Sequence, residues 1–392
     1  MSTATAAPSG LRAVTREVNA PADVLNALGA GGTAWLHDGA EFASAGSAAR
    51  VRAEDAVSFL AAIEHDDDPD LPGAGPRAIG ALCFDPTAPV DLVVPSRIVG
   101  RTGDGRGWVT EVGPPVTLEH AANDAPSRFV VQAQSSRAAW RASVLDALAT
   151  IGRGELAKVV LARAVHVEAD RAFDVQGVLA RLRSQQPGCF VYAADSMVGA
   201  SPELLVARFG AHVVSRPMAG TAVAGDGALE RLRSSSKEAR EHRVVVDAIV
   251  DVLASHCSRV EAAPEPEVDE FADVAHLATP VHGTLHDPPP DALALARALH
   301  PTPAVAGSPT TTALAAIARL EPQGRGRYAG PVGWVDARGD GEWAVALRGA
   351  SIDGPHAVLH AGAGIVAGSD PDAEWAETEA KFDPMLRALV RP

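Results

Sequence analysis

Apolar and polar residues follow two rhythms along this chain, and the rhythm assigns most of its elements. Period-two runs predict strands at Ala34 to Leu36, Ala78 to Phe84, Asp91 to Val94, Phe129 to Ala133, Lys158 to Arg163, Cys189 to Ala194, His276 to Pro280, Tyr328 to Asp336, Glu342 to Ala350 and Ala357 to Ala361. Apolar residues at helical spacing predict helices from Ala53 to Ile63, across Trp140, Val144, Leu148 and Ile151, from Val175 to Arg183, from Leu232 to His256, from Ala292 to Leu299 and from Thr310 to Leu320. A further helix starts at Asp370-Pro371-Asp372, an acidic cap with a proline in the first turn. Gly103-Asp104-Gly105 and Arg338-Gly339-Asp340-Gly341 read as hairpin turns, and the proline-dense segment His300 to Pro309 as a rigid loop without regular structure. Residues 1–20 read as a disordered start, followed by a short helix from Ala22 to Leu28.

Several polar residues sit where the rhythm would place core. In the long helix the stripe of Val245, Ala248, Ile249 and Val252 continues backwards onto Glu241 and Glu238, and an unpaired buried carboxylate is costly enough to call for a partner cation or metal. First turns projecting into water would give the same pattern. In the last helix Glu374, Glu377 and Lys381 fall at i, i+3 and i+7, beside the apolar row of Trp375, Phe382, Leu386 and Leu389. An ordinary Glu-to-Lys pair on a solvated face reads alike. Upstream, the glycines of Ala361-Gly362-Ala363-Gly364-Ile365-Val366 let backbone N–H groups approach an anion, although a plain strand-to-helix turn would look similar. Lys158 opens a strand and Glu203 follows Ser201-Pro202 at a loop-to-strand junction, while Arg348 shares a face with the small residues Ala344 and Ala346.

Composition narrows what these groups can serve. The 392 residues are 47% hydrophobic and 21% charged, which suits a globular protein with a large core, and the sequence has no internal repeat. The net charge of −15 disfavours nucleic acid or an anionic membrane as partner. An anionic substrate would need a few local lysines, arginines and amides, or a cation bridging it to the carboxylates. The three cysteines lack metal-ligand spacing, and the absence of a leader-like start or a long apolar run points to a soluble cytoplasmic protein.

KVVLAR (Lys158 to Arg163), GASPELL (Gly199 to Leu205), HLATP (His276 to Pro280), LHPTPAVAG (Leu299 to Gly307), GPVGW (Gly330 to Trp334), GEWAVALR (Gly341 to Arg348), AGAGIV (Ala361 to Val366) and EWAET (Glu374 to Thr378) occur in one order, with GALCFDP (Gly80 to Pro86) upstream. By these motifs, dense from Leu148 onward, the sequence resembles the chorismate-utilising enzymes and among them the isochorismate synthases. The resemblance implies one α+β domain over residues 21–392, with two large facing antiparallel sheets wrapped by helices and a site between them. It implies Lys158 as the base that activates water and Glu203 as the acid that protonates the departing ring hydroxyl. It implies Mg²⁺ on Glu241 and Glu377, backed by Glu238 and Glu374. Substrate would meet Arg348, Lys381, Tyr328 and the amides of Gly362 and Gly364, with Thr221, His276, Ala304 and Val305 along the site. Such a base needs a depressed pKa, which burial and neighbouring cations can provide, and such an acid needs an apolar setting. Chorismate and isochorismate are the implied partners of a monomer or weak homo-oligomer, with no glutaminase subunit, because Lys158 marks the members that use water. Tyr328 is shared with salicylate-forming relatives, whereas the His300 to Ala304 segment and Thr310 match the synthase group. A salicylate synthase that also expels pyruvate, or a non-catalytic subunit binding Mg²⁺ or a partner, are the alternatives.

Overall fold

The period-two runs become strands of two large antiparallel sheets. The structure, a computed structural model, describes residues 10–38, 40–66, 71, 73–114, 125–223, 227–271 and 274–390. In the larger sheet the strands follow the order Phe129–Ala133, Lys158–Ala169, His356–Val366, Gly349–Asp353, Met197–Ser201, Phe190–Ala194, Ala34–Leu36, Ala40–Ala45, Arg97–Thr102, Gly107–Val112, Arg12–Val18 and Glu64–Asp66. All neighbours in that order pair antiparallel except the last two strands, which are parallel. The second sheet centres on Leu204–Phe209, Gly341–Val345, Pro331–Asp336 and Arg77–Ala81. A small third sheet joins Met218–Val223, Val274–Ala278 and Glu267–Glu270.

Alternation along a single strand builds both sides of the large sheet. Phe190, Tyr192 and Ala194 point into a core shared with Ile79, Trp334 and Ala344 of the facing sheet. Val191 and Ala193 point the other way, onto Leu179 and Leu182 of the helix Val175–Gln185 and Met385 and Leu389 of the helix Pro371–Val390. Every residue of this strand is buried, as expected of a strand covered on both faces. Among the described residues no helix is long and apolar enough to cross a membrane.

Six sequence expectations change. The disordered start gives way over Arg12–Val18 to a strand that pairs with Gly107–Val112, because Ala13 and Val14 have an established ladder to join. The short helix is a 3-10 turn, Val24–Ala27, capped by Asp23. The long helix is two, Ala228–Ser234 and Ser236–Ala254, because Ser235 adopts an extended backbone and its hydroxyl accepts from Glu238 N–H, starting a new helix there. The proline-dense segment contributes a two-residue strand, Gly307–Ser308, paired with Val159 and Lys158. Finally, Ala361–Val366 is no turn but the second half of the strand His356–Val366, and the Glu342–Ala350 run is broken at Arg348, whose φ of 49° lies in the left-handed region.

Candidate active site

The lysine strand (Lys158–Ala169) and the glycine strand (His356–Val366) lie side by side, with Lys158 opposite Val366 and Val160 opposite Gly364. Lys158 is therefore an interior residue, 4% exposed, between the glycine strand and Gly307–Ser308, and not a solvated edge lysine. Its Nζ lies 2.6 Å from Glu241 Oε1, on the helix Ser236–Ala254. Gly364 makes this approach possible: a Cβ there would stand 2.8 Å from Glu241 Oε1 and 3.1 Å from Lys158 Cε.

Gly362 is needed for its backbone. Its carbonyl accepts from Lys381 Nζ at 2.9 Å. Because the N–H and C=O of one strand residue point to the same side, the Gly362 amide also faces away from the lysine strand, and so does that of Gly364 two residues on. On that side the ladder with Gly349–Asp353 ends at Leu359, so these amides border the cavity. Lys381 Nζ also holds Glu377 Oε1 at 2.6 Å, the pair foreseen from helix spacing.

Glu203 is 3% exposed, between the strands Met197–Ser201 and Leu204–Phe209. Its backbone is fixed at both ends: the N–H donates to Ser201 Oγ at 3.2 Å and the carbonyl accepts from Val345 N–H at 3.1 Å. Burial pushes its carboxyl up to about 7, against the smaller opposing pull of the Met218 backbone, Lys158 and Lys381. Burial thus raises Glu203 into the range where a proton donor working near neutrality is useful.

Arg348 extends from its left-handed backbone to His276, with Nη2 3.1 Å from Nε2. The other ring nitrogen, Nδ1, lies 3.3 Å from the Gly220 carbonyl. Burial and the charges of Arg348 and Lys381 hold the His276 pKa well below its ordinary value, so the ring is neutral. A neutral ring donating from Nδ1 to Gly220 has an Nε2 lone pair free to accept from Arg348. His276 thereby aims the guanidinium.

These groups share one cavity of about 90 Å³. Its lining includes Lys158, Glu203, Glu241, His276, Ala304, Val305, Tyr328, Arg348, Gly362, Gly364, Glu377 and Lys381, which were all singled out from the sequence. Three others do not line it. Glu374 is buried one helical turn before Glu377, and Glu238 lies with Oε2 3.3 Å from where a Gly220 Cβ would be. Thr221 pairs with His276 in the small sheet, and its side chain lies outside the described residues.

One charged lining residue escaped the sequence reading. Arg325 is 4% exposed and donates to Glu321, to the Val305 carbonyl at 2.7 Å and to the Val160 carbonyl at 2.8 Å, while Glu321 accepts from Ala162 N–H at 2.7 Å. This buried ion pair locks the Val305 segment to the lysine strand. Glu321-Pro322-Gln323-Gly324-Arg325 reads in sequence as a polar turn, with no sign that both charges face inward. His360 also lines the cavity, stacked on Tyr328 with ring centroids 5.3 Å apart.

Among the described residues no three His, Cys, Asp or Glu side chains form a ready-made metal shell. The donor chemistry nonetheless fits Mg²⁺. Two carboxylates, Glu241 and Glu377, enter one cavity from two helices, each holding a lysine ammonium, and Mg²⁺ commonly takes one or two protein carboxylates and completes its shell with water and substrate oxygens.

Residues 115–390 match the family described as chorismate binding enzyme. The chain is 36% identical over 333 residues to isochorismate synthase DhbC of Bacillus subtilis, covering 80% of this chain and 81% of that protein. It is 34% identical over 335 residues to isochorismate synthase EntC of Escherichia coli, covering 80% and 81%. Among solved structures it is similar to MenF, the menaquinone-specific isochorismate synthase of Escherichia coli, with a TM-score of 0.84 and 27% identity over 97% of this chain and 95% of that one.

Proposed function

The chain belongs to the chorismate-binding enzymes, and we propose that within them it is an isochorismate synthase, an isomerase that moves the ring hydroxyl of chorismate. The observation that carries this reading is a buried lysine and a buried acid facing one cavity from separate elements. Water adds to the ring carbon next to the carboxylate-bearing carbon, the double bonds shift, and the original hydroxyl leaves. Lys158 takes the proton of the attacking water, and Glu203 gives its proton to the leaving oxygen, so one water enters and one departs. In the reverse direction the two exchange roles, as reversibility requires. Arg348, aimed by His276, and Lys381 with the Gly362 and Gly364 amides supply positive charge and donors for the two substrate carboxylates. Glu241 and Glu377, now paired with Lys158 and Lys381, would hold Mg²⁺, which when bound would supply positive charge for a substrate carboxylate.

The test is product identification by chromatography and mass after incubating the protein with chorismate, with and without Mg²⁺. Isochorismate in equilibrium with chorismate, without pyruvate, is the expected outcome. Salicylate with equimolar pyruvate would move the assignment to a salicylate synthase. Mg²⁺-dependent binding without any product would leave a non-catalytic subunit. Relatives named for siderophore and for menaquinone pathways both resemble the chain, so the consuming pathway is read from which genes' loss is complemented.

A further inference from the structure

The face of the lysine and glycine strands that lines the reaction cavity continues past it. Beyond Val160 and Gly362 the same face carries Ala162, Ala164 and His360, which is opposite Ala164. There a second cavity of about 540 Å³ opens, bordered also by Ser136, Trp140 and Gly324. Of the described residues that line either space, His360 belongs to both. Its ring lies nearly parallel to Tyr328, 18° between planes, and it is tethered to the Gly324 backbone. Burial pushes its pKa down to about 4, so near neutrality it is an uncharged ring on an aromatic ring. His360 is thus the residue that the small cavity shares with one several times larger, beside the Arg325–Glu321 pair that spans from one lining to the other.

We propose that His360 is a specificity-determining residue: its ring, stacked on Tyr328, closes the reaction cavity at that end and sets how far a substrate extends. It does so as a positioning residue, holding Tyr328 against the Gly362 amide and keeping the water of the larger cavity away from a reaction that admits one water at one carbon. This rests on the chorismate reading of the site. An alanine at 360 would merge the two spaces and leave Tyr328 unsupported.

Three variants and one additive decide it. With chorismate as substrate, His360→Ala should raise KM about tenfold, the scale of a lost aromatic stack, with kcat within about threefold of the parent. His360→Phe should keep the parent KM. Imidazole added to His360→Ala should bring KM back down and leave the parent unaffected, and a crystal structure of that variant grown with imidazole should show the ring seated on Tyr328. Should His360→Ala fail to fold, His360→Leu, of similar volume but without a planar ring, takes its place with the same expected KM. An unchanged KM in His360→Ala, or His360→Phe as impaired as His360→Ala, overturns the proposal, as does a crystal structure in which the two cavities stay separate without the ring. If the parent makes no isochorismate, the functional reading falls, and the crystal structure still decides the partition.

Discussion

At the level of single residues the chemistry depends on a lysine and a glutamic acid that face one cavity from separate elements. Lys158→Ala should lower turnover by about 10²- to 10⁴-fold, the range for a lost general base, while Mg²⁺-dependent chorismate binding measured by calorimetry persists. Lost binding would instead make Lys158 a ligand-holding residue. Glu203 gives a prediction in pH. Its carboxyl is raised to about 7 by burial, so it is protonated below that value and able to act as acid, and ionised above it. The rate from chorismate should therefore fall as pH rises through about 7, and Glu203→Gln should bind substrate without turning it over. A pH–rate profile flat from 6 to 9 would remove Glu203 as the acid.

Elements carry these residues into register, and the glycine strand shows how narrow the tolerance is. Gly364→Ala puts a methyl group against Glu241 Oε1 and Lys158 Cε, two ends of flexible side chains. The fold should survive with a near-parental Tm while the Lys158–Glu241 pair is pushed apart, lowering activity more than about tenfold and raising the Mg²⁺ needed for half-maximal rate. Gly362→Ala meets its nearest atoms only at 3.2 Å and should cost less. The apolar rhythm made Glu241 visible as a polar exception, whereas Lys158, Glu377 and Lys381 read alike as solvated residues and were singled out through the motifs that carry the family resemblance. It misplaced Ala361–Val366 because small residues leave no alternation to read, and it fused two helices because Ser235 as a cap looks like any serine within a polar turn. Arg325 and Glu321 were missed because burial of opposite charges depends on a strand nearly 160 positions away. The left-handed backbone of Arg348 had no sequence signal, since non-glycine residues do not advertise that conformation.

For the whole molecule, buried neutral histidines set the response to acid. Burial lowers His242, His300 and His360 to about 4, His276 well below its ordinary value and His37 below it, whereas all five titrate near 6.5 when unfolded. The unfolded chain then binds more protons, so the stability these groups allow is fully present above about pH 6.5 and is lost as pH falls toward 4. Each group accounts for up to about 1.4 kcal/mol per pH unit in that window. Glu203, raised instead of lowered, tilts the same window the other way, but it is one group against five. Urea midpoints should therefore drop steadily between pH 6.5 and 5, and His360→Phe should flatten that drop. Equal midpoints at both pH values would contradict the assignment of neutral rings.

The glycine strand lies between the lysine strand and Gly349–Asp353 in the sheet order, paired with the lysine strand from Lys158 to Glu168. During synthesis the lysine strand leaves the ribosome nearly two hundred residues before the strand that completes its ladder. For that interval the lysine strand carries an open sheet edge, the kind of surface that recruits chaperones or other chains. Site and sheet then close together after translation, so a chain stopped short of His356 would be a substrate for aggregation or proteolysis and not a weaker enzyme.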